Sequence, residues 1–415
     1  MSVLVLHRGA LAGAPYDQWL ADVEGDILLL AAQEQLELAG EELPTQGAYA
    51  HLEAVPGYDV SGYVEARALE LARRHHVRAI VAAQERDLER AAQLRDILGL
   101  PGQRPESAAA FRDKVLMKKL VSAAGIPVAP HREIDCATDI IEFTRWHGFP
   151  LVLKPRNGGG SIDLRIIPGS EELDEVLVGG TLWPPQAQPN LIAEAFVPGP
   201  MCHVDGLVVD GRVAFSWASQ YLYALASYRT DRGGRLDVTL DHEDPLARRL
   251  RRFTEQALDA LPGPDAFAFH AEVFHTPDDE LVLCEVACRP GGASIRDIGR
   301  TLFGVDLAEC AARAQAGLPL DLRAPLAPAQ AAGQLALMKR PGMVRDVPRQ
   351  PPYRWVERYR TFVRPGQAMT EASFSGDFMA AFVVSAPDRR TCEERLRRLE
   401  SWFTERIMIE EAVAA

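Results

Sequence analysis

The sequence has no Cys-X-X-Cys pair, and its six cysteines, Cys136, Cys202, Cys284, Cys288, Cys310 and Cys392, are scattered. Only Cys284 and Cys288 lie close together, with no second Cys or His pair nearby, so neither a zinc site nor a disulfide framework is expected. Such usage fits a reducing cytoplasm. Long apolar runs are missing too. The opening Met1-Ser2-Val3-Leu4-Val5-Leu6-His7-Arg8 is too short for a signal peptide or a membrane span, and nothing later approaches spanning length. Basic charge is in deficit, with 45 Lys and Arg against 58 Asp and Glu and a net charge of −13. That argues against a nucleic-acid surface and leaves room for a local basic pocket. The dinucleotide glycine fingerprint is also absent. His7-Arg8-Gly9-Ala10-Leu11-Ala12-Gly13 lacks its spacing, so an NAD-dependent oxidoreductase is a poor fit. No internal repeat is found.

What is present is an ordinary globular mixture, 47% hydrophobic and 25% charged over 415 residues, enough for two or three domains. The first hundred residues alternate short apolar strands (Val3 to Leu6, Asp26 to Ala31, Ala79 to Ala83) with a helical pattern over Ser61 to His76. This alternation predicts a parallel, Rossmann-like sheet, hence an α/β fold. Pro101-Gly102-Gln103-Arg104-Pro105 marks a boundary, and one helix is expected over Ala109 to Ala124. Strands are expected at Leu151 to Lys154, Leu191 to Val197 and Met201 to Val209. Helices are expected at Asp244 to Leu261, Asp306 to Gly317 and Cys392 to Thr404. Proline-rich stretches at Trp183 to Pro189 and Pro319 to Pro328 read as further boundaries. The division expected is 1–105, 106–190, 191–325 and 326–415.

The richest stretch runs from His270 to Gly292. Two apolar runs flank a Thr276-Pro277-Asp278-Asp279 turn, the pattern of an antiparallel hairpin. Pairing His275 with Glu280 sets Glu272 opposite Leu283 and His270 opposite Glu285. Glu272 and Glu285 then share a face as diagonal neighbours. Two carboxylates so close repel each other, and a divalent cation with a taste for oxygen ligands, such as Mg²⁺, removes the repulsion. Arg289, just past the strand end, is set to meet a negatively charged reactant. Upstream lie Arg112-Asp113-Lys114 on a helix, Lys154 at the mouth of an apolar strand, and the loop Arg156-Asn157-Gly158-Gly159-Gly160-Ser161. Lysines serve phosphates as point charges, and glycine backbone N–H groups can approach phosphates closely and close over them. Lys118 and Lys119 share the helix of Lys114, so a solvated basic face is the competing reading there.

In this order and spacing the pieces resemble the ATP-grasp superfamily over about residues 108–300. The resemblance implies an ATP-grasp fold (α+β) behind an N-terminal Rossmann-like domain. It implies ATP and Mg²⁺ as cofactors, with Mn²⁺ as an alternative. Lys114, Lys154, Gly159, Gly160 and Ser161 would meet the phosphates, and Glu194, Ala195, Phe196 and Val197 match the adenine-binding linker. Glu272 and Glu285 match the magnesium acids, and Arg289 matches the arginine that holds the γ-phosphate and acyl phosphate, with Lys154 beside it in catalysis. Two positions depart from the pattern. Ala287 stands where an Asn ligand is common, and Met201 stands where a ribose-binding Glu is common, leaving His203 and Asp205 as ribose candidates.

The shared reaction implied is attack of a carboxylate on the γ-phosphate of ATP, then displacement of phosphate by a nucleophile. Ala332 to Leu337 and the turn Pro341 to Val344 resemble the superfamily's amino-acid ligases, which join a carboxylate to an amine. Tyr221, Tyr223, Tyr228, Arg229 and Arg232 are candidates for the substrate pocket. So are Gly291, Gly292 and Arg296, the last for a substrate carboxylate. A bicarbonate-activating enzyme and a non-catalytic ATP-binding regulator are the competing readings. Partners expected are small-molecule carboxylate and amine, with a homodimer by family habit and a carrier-protein substrate left open.

Overall fold

The computed structural model of the chain describes residues 2–179, 190–224, 227, 230–322 and 327–410. The boundary expected at Trp183 to Pro189, and Tyr228 and Arg229, lie outside the described residues. Among the described residues no helix is long and apolar enough to cross a membrane.

The N-terminal strands form a four-stranded parallel sheet in the order Tyr49–Val55, Ile27–Ala32, Ser2–His7, Val77–Ala82. Ser2–His7 and Ile27–Ala32 are buried at every position, as continuous apolar runs in a parallel sheet must be. Helix Tyr63–Arg74 lays Val64, Ala68, Leu71 and Ala72 against it, one stripe at helical spacing. This unit is Rossmann-like in its strand–helix alternation.

A second, antiparallel sheet runs His131–Ile134, Leu191–Ala195, Leu151–Pro155, Arg165–Ile167. Leu151 and Leu153 pack inward with Ile140, Phe143 and Ala193. By the two-residue alternation of a strand, Val152 and Lys154 point the other way.

The helix expected over Ala109 to Ala124 is two helices, Pro105–Arg112 and Lys114–Ala123. Asp113 separates them in an extended conformation, and its carboxylate accepts from the Val115 N–H at 2.9 Å. An aspartate that can cap a new first turn competes with helix continuation.

The third sheet is the largest, with eight antiparallel strands: Leu281–Ala287, Phe267–His275, Met201–Val209, Arg212–Tyr221, Arg235–Thr239, Ala331–Met338, Phe378–Ala386 and Val356–Thr361. Cys202, Val204, Phe269, Ala271 and Val273 pack on helix Pro245–Asp259 in one core cluster. The alternate positions, Met201, His203, Asp205, His270 and Glu272, therefore face away from that helix.

The acidic hairpin pairs differently from the register expected. His275 faces Leu281, one residue later than Glu280, and a bulge between Glu272 and Val273 adds another step. Glu272 thus stands directly opposite Glu285, and His270 opposite Ala287. Two one-residue shifts preserve parity, so both acids stay on one face.

Candidate active site

The second sheet and the large sheet enclose a cavity of about 650 Å³. Lys114, Lys154, Gly158 to Ser161, Glu194 to Val197, Met201, Tyr221, Tyr223, Glu272 and Glu285 all lie on its wall. Glu272 and Glu285 are cross-strand partners. Lys114 Nζ lies 3.0 Å from Glu285 Oε2 and donates to the Gly158 carbonyl at 2.7 Å. Burial alone would raise the Glu285 carboxyl, but Lys114, Lys154 and Arg289 outweigh it and bring its pKa down to about 2. Two facing carboxylates of this kind suit a hard divalent cation, which keeps waters in its remaining positions. Ala287 adds no ligand to the set.

Lys154 Nζ lies 3.0 Å from Glu194 Oε2, and Lys118 Nζ lies 3.4 Å from Glu194 Oε1. Lys118 is 1% exposed and also donates to the Cys284 carbonyl at 2.9 Å. The two ammonium groups hold Glu194 below the usual carboxylate range against the opposing effect of burial. Burial would likewise lower Lys154, and Cys284, Glu194 and Glu285 together raise it instead. The solvated-face reading of this helix applies to Lys119, which is exposed, and not to Lys114 or Lys118, which are buried.

The linker residues divide their roles. Ala195 N–H donates to the Pro130 carbonyl at 2.9 Å, and Phe196 N–H to the Pro150 carbonyl at 3.2 Å. The Val197 N–H, on the cavity wall, has no protein partner among the described residues. The Glu194 side chain is turned to the lysines.

The glycine loop is tied at several points. Arg112 donates to the Asn157 carbonyl at 2.5 Å, and the Ser375 N–H donates to the Gly160 carbonyl at 3.2 Å. Gly160 has φ +65°, where a side chain would strain the backbone.

Arg289 makes an ion pair with Glu85 of the N-terminal unit and donates to the Pro290 carbonyl at 2.7 Å. Glu85 also pairs with Arg112, so one carboxylate joins the glycine-loop anchor to Arg289. Arg296 is engaged elsewhere: Nη2 donates to Asp306 at 2.5 Å, and the guanidinium lies 4.8 Å from the Trp19 ring centroid. A Cβ on Gly291 would meet Asp205 Oδ1 at 2.7 Å, whereas Gly292 faces open space.

His203 is fully buried under Tyr221, ring centroids 4.6 Å apart. Its two ring nitrogens meet Asp205 at 2.6 Å and Asp237 at 2.9 Å, leaving neither for a ribose. His270 meets the other Asp205 oxygen at 2.8 Å, and Gln334 donates to Asp237 at 2.8 Å. Despite burial, the flanking carboxylates raise His203 to about 10 and His270 to about 9. Asp205 is brought down to about 2 by the two histidines against the effect of burial.

Sequence reasoning did not single out Glu85, Asp237, Gln334 or Lys118. For Lys118 a signal existed. Lys114, Met117, Lys118 and Val121 recur at helical spacing, and all four are buried. Glu85 and Gln334 come from distant segments with no local pattern.

No protein-family model matches the chain. It is similar to an L-arginine-specific L-amino acid ligase of Bacillus subtilis, 27% identical over 235 residues, 55% of either chain. It is also similar to a D-alanine–D-alanine ligase of Mycobacterium ulcerans, 28% identical over 219 residues, 49% of this chain and 57% of the relative. The matched part thus spans about half the length of these relatives. The L-amino acid ligase structure from Bacillus licheniformis superposes with TM-score 0.75 at 18% identity, covering 99% of both chains. The biotin carboxylase domain of a 2-oxoglutarate carboxylase from Hydrogenobacter thermophilus superposes with TM-score 0.72 at 16% identity, covering 99% of this chain and 90% of that one. The chain has the ATP-grasp fold. Within that fold, its sequence relatives named above are ligases that join amino acids.

Proposed function

We propose that the chain is an ATP-dependent carboxylate–amine ligase. One observation carries the reading: Glu272 and Glu285 face each other on the wall of a cavity that Lys114 and Lys154 also line. In this reading Glu272 and Glu285 would hold Mg²⁺, or Mn²⁺ in its place, and the metal would supply positive charge against the phosphoryl group. Lys114, Lys154 and the glycine loop position the phosphates of ATP, and the Val197 N–H, without a partner among the described residues, meets the adenine edge. A substrate carboxylate oxygen attacks the γ-phosphorus, the bond to ADP breaks, and an acyl phosphate forms. The amine nitrogen then attacks the acyl carbon, phosphate leaves, and the amine proton passes to solvent or a nearby base. Arg289, released from Glu85, holds the acyl phosphate. Of the substrate candidates, Tyr221 lies on the cavity wall and would border the space left for the carboxylate and amine, whereas Gly291 and Gly292 are not among the lining residues. Amino acids are the substrate class favoured by the named relatives, and a homodimer is compatible with this reading.

The test is phosphate release from Mg·ATP with pairs of amino acids, with bicarbonate alone in parallel and mass spectrometry of every product. Release that needs two amino acids, with a product lighter than their sum by one water, supports the ligase. Release with bicarbonate alone moves the chain to the carboxylase reading. ATP binding with no ADP formed from any mixture favours a regulator.

A further inference from the structure

The nucleotide reading leaves one group without a partner. Met201 stands where a ribose-binding carboxylate is expected, and His203 is sealed beneath Tyr221. The same cavity wall receives side chains from a distant element, helix Arg389–Thr404, which contributes Glu393 and Arg397. They are a turn apart on that helix. Arg397 donates twice to the carboxylate, Nε at 3.0 Å and Nη2 at 2.7 Å, and both bonds end on Oε1. Oε2 has no partner among the described residues. Gln220 lines the wall beside them, its amide oxygen held by Arg389 of the same helix.

We infer that Glu393, fixed by Arg397, accepts hydrogen bonds from the ribose hydroxyls of the nucleotide and takes the place of the carboxylate missing at Met201. The inference rests on the ATP reading of the cavity. The chemistry is that of an ionised acceptor: a carboxylate oxygen with open lone pairs suits a hydroxyl donor, and such a charge-assisted bond discriminates strongly against an analogue that lacks the donor. Arg397 supplies what a lone surface glutamate lacks, two bonds that hold one carboxylate oxygen and leave the other able to accept. The C-terminal helix, which packs its apolar side on the large sheet through Cys392, Leu396 and Leu399, thereby becomes part of the nucleotide site.

The test is calorimetric titration of the full chain with ATP and with 2′-deoxy-ATP, each with Mg²⁺ and without amino acids. Wild type should bind ATP about tenfold more tightly than 2′-deoxy-ATP. Glu393→Ala should bind the two alike, chiefly by losing ATP affinity, and Glu393→Gln should keep part of the preference. Position 393 is partly exposed on the helix, so thermal melting of both variants should match wild type. The inference is overturned if Glu393→Ala keeps the wild-type preference, or if wild type binds both nucleotides equally. A wild type that binds neither nucleotide sinks the ATP reading itself.

Discussion

Glu85 and Arg289 are more than two hundred positions apart in sequence, yet they form an ion pair at the junction of the N-terminal unit and the large sheet. Arg112 joins the same carboxylate and reaches on to the glycine loop. Replacing Glu85 by Ala leaves two guanidinium groups facing each other across a gap. The expected result is a loss of phosphate release of at least about tenfold together with a lower melting temperature. Glu85→Gln should recover part of the stability and little of the rate. Steady-state kinetics and thermal melting read the two effects separately, and unchanged kinetics in both variants would remove Glu85 from the account.

Glu285 and Glu272 face each other, and each is expected to matter through metal. Glu285→Gln should lower Mg²⁺-dependent phosphate release by about a hundredfold or more while the fold persists. Removing the charge also takes the counter-ion from buried Lys114, so melting in the absence of metal should fall somewhat below wild type. EDTA should abolish release by the unmodified chain, with activity returning on addition of Mg²⁺.

Lys118→Met tests the buried charge pair. Glu194 would keep Lys154 but lose half of its compensation, and breaking such a pair costs roughly 3 kcal/mol. The urea transition should shift to clearly lower denaturant. A shift within error would mean that solvent reaches this site after all.

The histidine–aspartate chain predicts a pH dependence. His203 and His270 titrate near 10 and 9 in the folded chain, above the ordinary value of 6.5. Their stabilisation is full below about pH 6.5 and declines as pH rises toward 9 to 10. Asp205 is depressed to about 2, so its contribution is full above its ordinary value of 3.8 and is lost as pH falls toward 2. Melting temperature measured from pH 6 to 10 should therefore fall in wild type. Asp205→Asn should start lower and fall less steeply over that range. Parallel slopes would contradict the account.

Local pattern made much of this molecule legible. The continuous apolar runs of the first sheet, the periodic helices, and the placing of both acids on one face of a hairpin follow from residues within one segment, whereas the break at Asp113 that splits the helix expected over Ala109 to Ala124 is missed by that reading. The hairpin register did not, because a bulge after Glu272 leaves no compositional mark. Lys118 shows a different limit. A lysine on a helix reads as solvated until its partner is known, and Glu194 arrives on a strand 76 residues later. The His203 cluster needed even more, since Asp205, His270, Asp237 and Gln334 come from four strands whose order only the sheet topology fixes.

That topology has a consequence during synthesis. The strand Ala331–Met338 lies beside Arg235–Thr239, and Gln334 donates to Asp237. A ribosome-bound chain that has released everything through the acidic hairpin has Arg212–Tyr221 on one side of Arg235–Thr239 but still lacks the neighbour on the other, and leaves Asp237 without that donor. The N-terminal sheet can close early, from its first eighty or so residues. The strands that carry the metal acids and their neighbours are complete by then, so translational pausing before residue 331 would hold the Arg235–Thr239 edge of the large sheet open in water.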